Sequence, residues 1–235
     1  MNGRFFKFSA LALTATATLF ANTVVDVTVT NSGTAPYHGT VGNTPNVTIL
    51  CDDPYDVLTT ATTSDNVLFL NNLSATTLSQ TIYGATILAN QGGITHITRA
   101  VTLATKLYDE VAYLALQFGS TAAINTAIQV AVWHVFDNLG ITAHDLAPAL
   151  SSSASSNTDS LFWLNKAVAD AALGANGIGA KNASRIEILT PGGSLGSAMS
   201  QEFIVVTPEP ATYAMLGSGL ILLAMATFRR RKTRA

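Results

Sequence analysis

Short stretches in which apolar and polar residues alternate lie toward both ends of the central part of the chain. Residues 26–30 read Asp-Val-Thr-Val-Thr, and this period of two, with its β-branched side chains, predicts a half-buried strand. A similar pattern over residues 46–51 predicts a second strand, which ends at Asp52-Asp53-Pro54. Further short strands are predicted at 67–70, 86–88, 185–189 and 202–206.

A helical period dominates the middle of the chain. Between residues 98 and 118 apolar side chains recur every three or four positions, which predicts a helix with one buried face. A second helix is predicted over residues 121–138 with Ser120 as its N-cap, and a third over residues 158–173. The core face predicted for the second helix consists of Ile124, Ile128, Val132 and Val135. Strands on both sides of a helical insertion predict a single α+β domain over residues 22–206.

The composition is that of one folded domain with additional segments at its ends. Of the 235 residues, 48% are hydrophobic and 11% are charged, which excludes a disordered chain. This length accommodates one domain of about 100–200 residues and targeting segments. Most Lys and Arg residues lie near the two termini, whereas all 14 acidic residues lie between Asp26 and Glu209. The central part lacks the basic face that nucleic-acid binding needs, so no nucleic-acid partner is predicted.

The first 21 residues have the pattern of a secretory signal peptide. Arg4 and Lys7 precede an apolar stretch over residues 8–20, and small residues surround its end. This order of a basic, an apolar and a small-residue region is typical of export signals, and cleavage after Ala17 or after Ala21 fits it equally.

A second apolar segment lies near the C-terminus. Residues 211–228 carry no charge, and Arg229-Arg230-Arg231-Lys232 follows directly. The segment is close to the minimum of about 17 residues for a transmembrane helix, and the basic cluster predicts a cytoplasmic end. We therefore predict a short membrane-spanning helix with the preceding domain outside the cytoplasm.

Pro208, Glu209 and Pro210 stand immediately before this segment. A Pro-Glu-Pro motif, a short apolar helix and an Arg-rich end, in this order, resemble the PEP-CTERM sorting signal of Gram-negative bacteria, here over residues 207–235. The resemblance implies that an exosortase-type protease cuts the tail, so that the inner-membrane helix is a transient anchor. The ectodomain would then reach the cell surface or the extracellular matrix. A permanent single-pass anchor is the alternative.

The chain contains one cysteine, Cys51, which cannot form a disulfide within the chain. Four roles remain open for it. It could be a buried apolar side chain, half of an intermolecular disulfide, a catalytic thiolate, or a thiol consumed in another intramolecular bond.

A glutamine lies within the apolar second helix, in the sequence Ile128-Gln129-Val130-Ala131-Val132-Trp133. Gln129 and Trp133 are four residues apart and therefore share a helix face. A buried carboxamide without a hydrogen-bond partner costs about 1–3 kcal/mol. Gln129 therefore needs a partner unless it faces solvent.

The two sites together resemble the thioester domains of bacterial surface proteins. The signatures of that family are a Cys behind an aromatic or Leu residue on a strand, here Leu50-Cys51, and an apolar-Gln-x-x-x-Trp helix, here residues 128–133. Residues 109–118 are also similar to the helix that precedes the Gln helix in that family. The resemblance covers about residues 47–138.

This resemblance implies an internal thioester, formed when the Cys51 thiol displaces ammonia from the Gln129 carboxamide. The bond would acylate an amine or hydroxyl on a surface partner. Trp133 and Val132 would keep water from the bond, and His134 would hold or deprotonate the incoming nucleophile. Such a protein reacts once and remains attached, so it is a covalent adhesin and no enzyme.

Other chemistry finds less support in the sequence. Cys51 with His96, His134 or His144 would supply the groups of a Cys/His hydrolase, but the two acidic residues that follow Cys51 oppose thiolate formation. Residues 52–56 lack the glycine and distal glutamate of an EF-hand loop, and the histidines lack the paired spacing of a zinc site. No metal, cofactor or catalytic residue is predicted. The main alternative is a non-reactive structural or matrix protein, in which Cys51 and Gln129 are core residues.

Overall fold

The computed structural model describes residues 23–31, 37–51, 62–90, 97–119, 121–136, 149–191 and 202–207. Their six strands are β1 (Thr23–Asn31), β2 (Tyr37–Val41), β3 (Thr44–Cys51), β4 (Thr62–Phe69), β5 (Ile186–Pro191) and β6 (Phe203–Val206). Their six α-helices are α1 (Ala75–Leu78), α2 (Ile82–Asn90), α3 (Ile97–Ala115), α4 (Ala122–Val135), α5 (Ser160–Ala171) and α6 (Ile178–Lys181). This mixture confirms the predicted combination of helix and strand.

The six strands form a closed antiparallel barrel in the order β1-β2-β3-β6-β5-β4. The pairing of β1 with β4 closes it, and all six pairings are antiparallel. The pairing of β3 with β6 connects the N-terminal strands to the C-terminal strands. In this pairing Cys51 on β3 lies opposite Phe203 on β6. The helices lie between β4 and β5 in the chain, so they form an insertion into the barrel.

Successive residues of the strands face two different cores, because side chains alternate between the faces of a strand. The barrel interior contains Val27, Val29, Tyr37, Ile49, Cys51, Val67, Leu189, Phe203 and Val205. The other face of β3, β4, β5 and β6 packs against the helices through Leu50, Leu68, Ile186, Ile188 and Ile204. Cys51 therefore belongs to the barrel core, and its neighbour Leu50 belongs to the helical core.

Most of the predicted elements are confirmed, with boundaries that differ by a few residues. The strand predicted at residues 86–88 is wrong, since these residues lie in α2. The β-branched residues Thr86 and Ile87 suggested a strand, but Ile87 is buried in the helical core and the Thr86 hydroxyl donates to the Ile82 carbonyl oxygen at 3.1 Å. Threonine fits a helix in this way.

Two further differences have local causes. The N-cap of α4 is Thr121, whose side chain accepts a hydrogen bond from the Ile124 N–H, so the assignment of the cap to Ser120 is wrong. Strand β2 was not predicted, because its middle residue is Gly39. A side chain at this position would collide with the Thr28 carbonyl oxygen of β1. The close approach of the two strands therefore requires glycine where the β pattern needs an apolar residue.

The predicted signal peptide, residues 1–21, and the predicted sorting signal, residues 207–235 apart from Thr207, lie outside the described residues. Among the helices of the described part, none has the length and apolar character needed to cross a membrane.

Candidate functional site

Cys51 is the last residue of β3, and its side chain is 1% exposed. The alternation of β3 places it in the barrel interior with Ile49. The site therefore lies at one end of the barrel, beside the first residue of β6.

Gln129 lies in the middle of α4, which packs against both β3 and α5. Its side chain is also 1% exposed, as expected for an apolar helix in which residues 127–132 are all buried. The solvent-facing alternative for Gln129 is therefore excluded.

The Gln129 carboxamide forms a reciprocal pair with the main chain of Cys51. The Gln129 Nε2 group donates to the Cys51 carbonyl oxygen, and Gln129 Oε1 accepts from the Cys51 N–H at 3.4 Å. These bonds join residues 78 positions apart in the sequence. They provide the partner that a buried carboxamide requires. The structure thus brings together the two residues that the sequence singled out from separate motifs.

This pairing places the Gln129 carbonyl carbon next to Cys51, because Cδ lies between the two atoms that make the bonds. Tyr37, on the neighbouring strand β2, shares the barrel interior with Cys51. Burial, and secondarily the charge that Cys51 carries when ionised, raise the pKa of Tyr37 to about 12. The Tyr37 phenol therefore stays protonated near neutral pH.

The other residues predicted for this site occupy three different environments. Val132 is fully buried in the helical core. Trp133 is half-buried, and its buried Nε1 group has no hydrogen-bond acceptor among the described residues, although most buried donors find one. His134 is half-buried and lies five positions after Gln129, which turns it by about 140° from the Gln129 face of the helix.

A buried carboxylate next to the site was missed by the sequence analysis. Glu202 directly precedes Phe203, the residue opposite Cys51, and is fully buried. Its oxygens accept hydrogen bonds from the Tyr108 hydroxyl at 2.8 Å, the Ile82 N–H at 2.8 Å and the Thr190 hydroxyl. Glu202 therefore joins β5 and β6 to α2 and α3, and it holds the start of β6 in place beside Cys51.

A second buried carboxylate, Asp65 on β4, lacks such support. Neither carboxylate oxygen of Asp65 has a donor among the described residues at the distance and angle of a hydrogen bond. The nearby Thr63 hydroxyl donates to the Val27 carbonyl oxygen instead. The pKa of Asp65 is raised to about 6, chiefly by burial; the Thr63 hydroxyl partly opposes this rise and the charge of Glu202 adds to it.

The wild-type protein is expected to lose stability between pH 4 and pH 7.5 because of Asp65, and Asp65→Asn should remove this loss. The variant should therefore gain stability relative to the wild type as the pH rises. The native Asp65 keeps its proton up to about pH 6, whereas the ordinary carboxyl loses it near 3.8, so stability falls as pH rises through this window. The shift corresponds to at most about 3 kcal/mol, and Asn removes this dependence. Urea unfolding of both proteins at the two pH values measures the difference. An identical pH dependence in the two proteins would contradict this account of Asp65.

In the part of the chain that the structure describes, no group of His, Cys, Asp and Glu side chains is arranged to hold a metal ion. Residues 52–56, His96 and His144 lie outside the described residues, as do Pro208, Glu209 and Pro210.

Comparison with known families identifies the C-terminal segment. Residues 206–232 match the model of the PEP-CTERM protein-sorting motif. The chain therefore carries the signal of an exported protein that an exosortase processes, with a membrane-anchored intermediate. This confirms that the Pro-Glu-Pro segment belongs to a PEP-CTERM sorting signal. Neither the curated proteins nor the solved structures give a match to the chain.

Proposed function

We propose that Cys51 and Gln129 form an internal thioester through which the exported domain attaches covalently to a surface partner. The observation that carries this proposal is the reciprocal hydrogen bonding between the Gln129 carboxamide and the Cys51 main chain. A thioester requires the thiol and the carboxamide carbon to be neighbours, and these bonds hold the carboxamide at Cys51.

The bond would form by acyl substitution without an oxidant or cofactor. The Cys51 sulfur attacks Cδ of Gln129, the C–N bond breaks, and ammonia leaves with the proton of the thiol. The product is a C–S bond between the two side chains. Holding two reacting groups together contributes about 7–11 kcal/mol toward such a barrier in well-oriented cases, which suits two buried residues on rigid elements.

Burial would then preserve the bond until a partner arrives. Cys51 and Gln129 are both 1% exposed, and Val132 with the indole of Trp133 supplies apolar surface on the same helix. An incoming amine or hydroxyl attacks the carbonyl carbon, the Cys51 thiol is released, and an amide or ester to residue 129 remains. Each molecule reacts once, so this chemistry serves attachment rather than turnover.

The mass of the exported protein tests the proposal. We expect the wild-type chain to be lighter by one ammonia than the mass calculated from its measured termini. After treatment with methylamine, it should be one methylene group heavier than that calculated mass, with the modification on residue 129. Iodoacetamide should alkylate Cys51 in the unfolded protein only after this treatment.

The matched variant is Cys51→Ala, which retains the glutamine and removes the nucleophile. It should have the calculated mass both before and after methylamine. Gln117, which lies just after α3, should remain unmodified in every sample and controls for general amine reactivity. An unmodified wild-type mass, with Cys51 freely alkylated after unfolding and Gln129 intact, would exclude the thioester.

One observation favours a second candidate function, that of a non-reactive structural protein of the cell surface. The two hydrogen bonds with the Cys51 main chain already give the Gln129 carboxamide oxygen a donor and its amino group an acceptor, which is also what a purely structural core glutamine requires. The two functions share export and fold, and the mass measurement separates them.

A further inference from the structure

The last described residue, Thr207, stands four positions before the apolar segment of the sorting signal, which begins at residue 211. Four residues of fully extended chain span at most about 14 Å. The sorting signal implies a membrane-anchored intermediate. When the apolar segment is in the membrane, the part of the domain that holds Thr207 therefore lies within this distance of the lipid.

Thr207 is joined to α6 by a continuous series of hydrogen bonds. Its N–H and its hydroxyl donate to the Arg185 carbonyl oxygen at 2.8 Å and 3.1 Å. The Arg185 N–H donates to the Asn182 carbonyl oxygen at 2.8 Å. The Asn182 side chain donates to the Ile178 carbonyl oxygen, also at 2.8 Å. Because Ile178 is the first residue of α6, this helix lies next to the point at which the sorting signal leaves the domain.

Two large apolar side chains beside this connection are exposed. Leu173 is 60% exposed and Ile178 is 48% exposed. They flank a tight turn, in which the Asn176 N–H donates to the Leu173 carbonyl oxygen at 3.2 Å. The described residues have only two other exposed large apolar side chains, Val24 and Val168. The turn before α6 is therefore the most apolar part of the described surface.

Val24 lies at the same end of the barrel as Thr207. All neighbouring strands are antiparallel, and β1 and β6 are three pairings apart in the barrel, so they run in opposite directions. The start of β1 and the end of β6 are therefore at one end of the barrel. Val24 is the second residue of β1 and is 59% exposed. It adds a third apolar side chain to the end that the sorting signal leaves.

The exposed charge on α6 is positive. Lys181, the last residue of this helix, is exposed. Asp170, an acidic residue in contact with α6, is buried, and its oxygens accept from the Ile178 N–H at 2.8 Å and the Gly179 N–H at 2.9 Å. Apolar side chains beside a lysine are typical of protein surfaces that lie on anionic lipid.

We propose that Val24, Leu173, Ile178 and Lys181 form a docking surface that rests on the phospholipid bilayer while the sorting signal anchors the chain. Leu173 and Ile178 enter the boundary between the headgroups and the acyl chains, and Lys181 contacts lipid phosphates. Docking fixes the orientation of the domain above the membrane until the exosortase processes the tail. It does not depend on the thioester.

Fluorescence of the full chain in nanodiscs of phosphatidylethanolamine and phosphatidylglycerol tests the proposal. In a Cys51→Ala background, which lacks the native thiol, the dye NBD is attached to Ser184→Cys, Val24→Cys or Thr30→Cys. Ser184 is exposed in the turn that follows α6. Thr30 is exposed on the same strand as Val24 but about 20 Å farther along it. Lipids with a nitroxide in the headgroup region should quench the dye at residues 184 and 24 much more than the dye at residue 30.

Substitutions in the docking surface measure what each apolar side chain contributes, with the dye at Ser184→Cys as the reporter. Leu173→Ser and Ile178→Ser should each lower the ratio of docked to undocked molecules by about tenfold, because each removes a large apolar side chain from the lipid. Both residues are exposed in the domain itself, so the substitutions should leave the fold intact.

Lys181→Gln tests the charge. It should lower the docking ratio by roughly fivefold in the anionic nanodiscs and leave it unchanged in nanodiscs of phosphatidylcholine alone. Arg99→Gln is the matched control and should change neither. Arg99 is exposed on α3, whereas α6 packs against Asp109 and Tyr113 of that helix, which lie about 15 Å or more farther along it.

Equal quenching at residues 184, 24 and 30 would overturn the proposal, because it would show that the domain moves freely on its tether. A dye on residue 184 that shifts in emission without being quenched by nitroxide lipids would also overturn it, since a second copy of the chain would then cover the surface. Unchanged docking in both Leu173→Ser and Ile178→Ser would do the same. The comparison of Ser184→Cys with Thr30→Cys keeps the docking residues intact, so the test does not depend on the folding of the other variants.

Discussion

Methylamine treatment is expected to lower the free energy of unfolding of the exported protein by about 4.5 kcal/mol, the value for a crosslink that closes a loop of this length. The proposed thioester would join Cys51 to Gln129, which are 78 positions apart. A crosslink stabilises a protein chiefly by restricting its unfolded state, and the loss grows with the logarithm of the loop length. Aminolysis removes the crosslink and leaves the rest of the sequence unchanged. Urea unfolding before and after treatment measures the effect as a shift of the midpoint.

Cys51→Ala provides the matched control for this experiment. It cannot form the crosslink, so methylamine should leave its unfolding curve unchanged, and its stability should resemble that of the treated wild type apart from the small cost of the lost sulfur. Suppose that the wild-type protein shows the ammonia deficit but that its unfolding midpoint does not change on treatment. This result would contradict the expected stabilisation, but it would still support formation of the thioester.

Glu202→Ala is expected to destabilise the native state by about 4 kcal/mol or more, since each buried donor left without a partner costs about 1–3 kcal/mol. The substitution removes the acceptor for three donors on α2, α3 and β5. It also leaves a cavity at the junction between the barrel and the helices. Thermal and urea unfolding of the variant measure the loss.

Single-donor variants divide this effect into parts. Tyr108→Phe and Thr190→Val each remove one donor and should each cost about 1.5–3 kcal/mol, the usual range for a hydrogen bond to a charged group. Because Glu202 holds β6 beside Cys51, Glu202→Ala should also reduce the fraction of molecules with the ammonia deficit. A variant that unfolds within 1 kcal/mol of the wild type would show that Glu202 does not have this structural role.

The individual elements of the barrel could be predicted from the sequence, but the closure of the barrel could not. The strands at 26–30 and 46–51 and the helix with the Ile124, Ile128 and Val132 face follow from local periodicity, and the structure contains them. Closure of the barrel does not follow from periodicity, because β1 pairs with β4 and β3 with β6 across long stretches of chain. Strand β2 escaped detection because packing against β1 requires glycine at position 39.

The candidate site shows the same division. Cys51 is conspicuous as the single cysteine of the chain, and Gln129 as an amide in an apolar helix. Glu202 and Asp65 gave no such signal, since an acidic residue in or beside a short strand is usually exposed. Their burial depends on the helices that cover the barrel and on the register of the strands, which bring Tyr108 and Ile82 to Glu202 from about a hundred positions away in the chain.

The sequence by itself determined the sorting signal and the helical and strand segments, because a contiguous motif and a periodic pattern depend only on neighbouring residues. Only the tertiary structure decided that the strands close into a barrel, that the Gln129 carboxamide meets the Cys51 main chain, and that Glu202 is buried among three donors. Each of these contacts joins residues remote in sequence, so its existence depends on the packing of the whole domain and leaves no local trace in the chain.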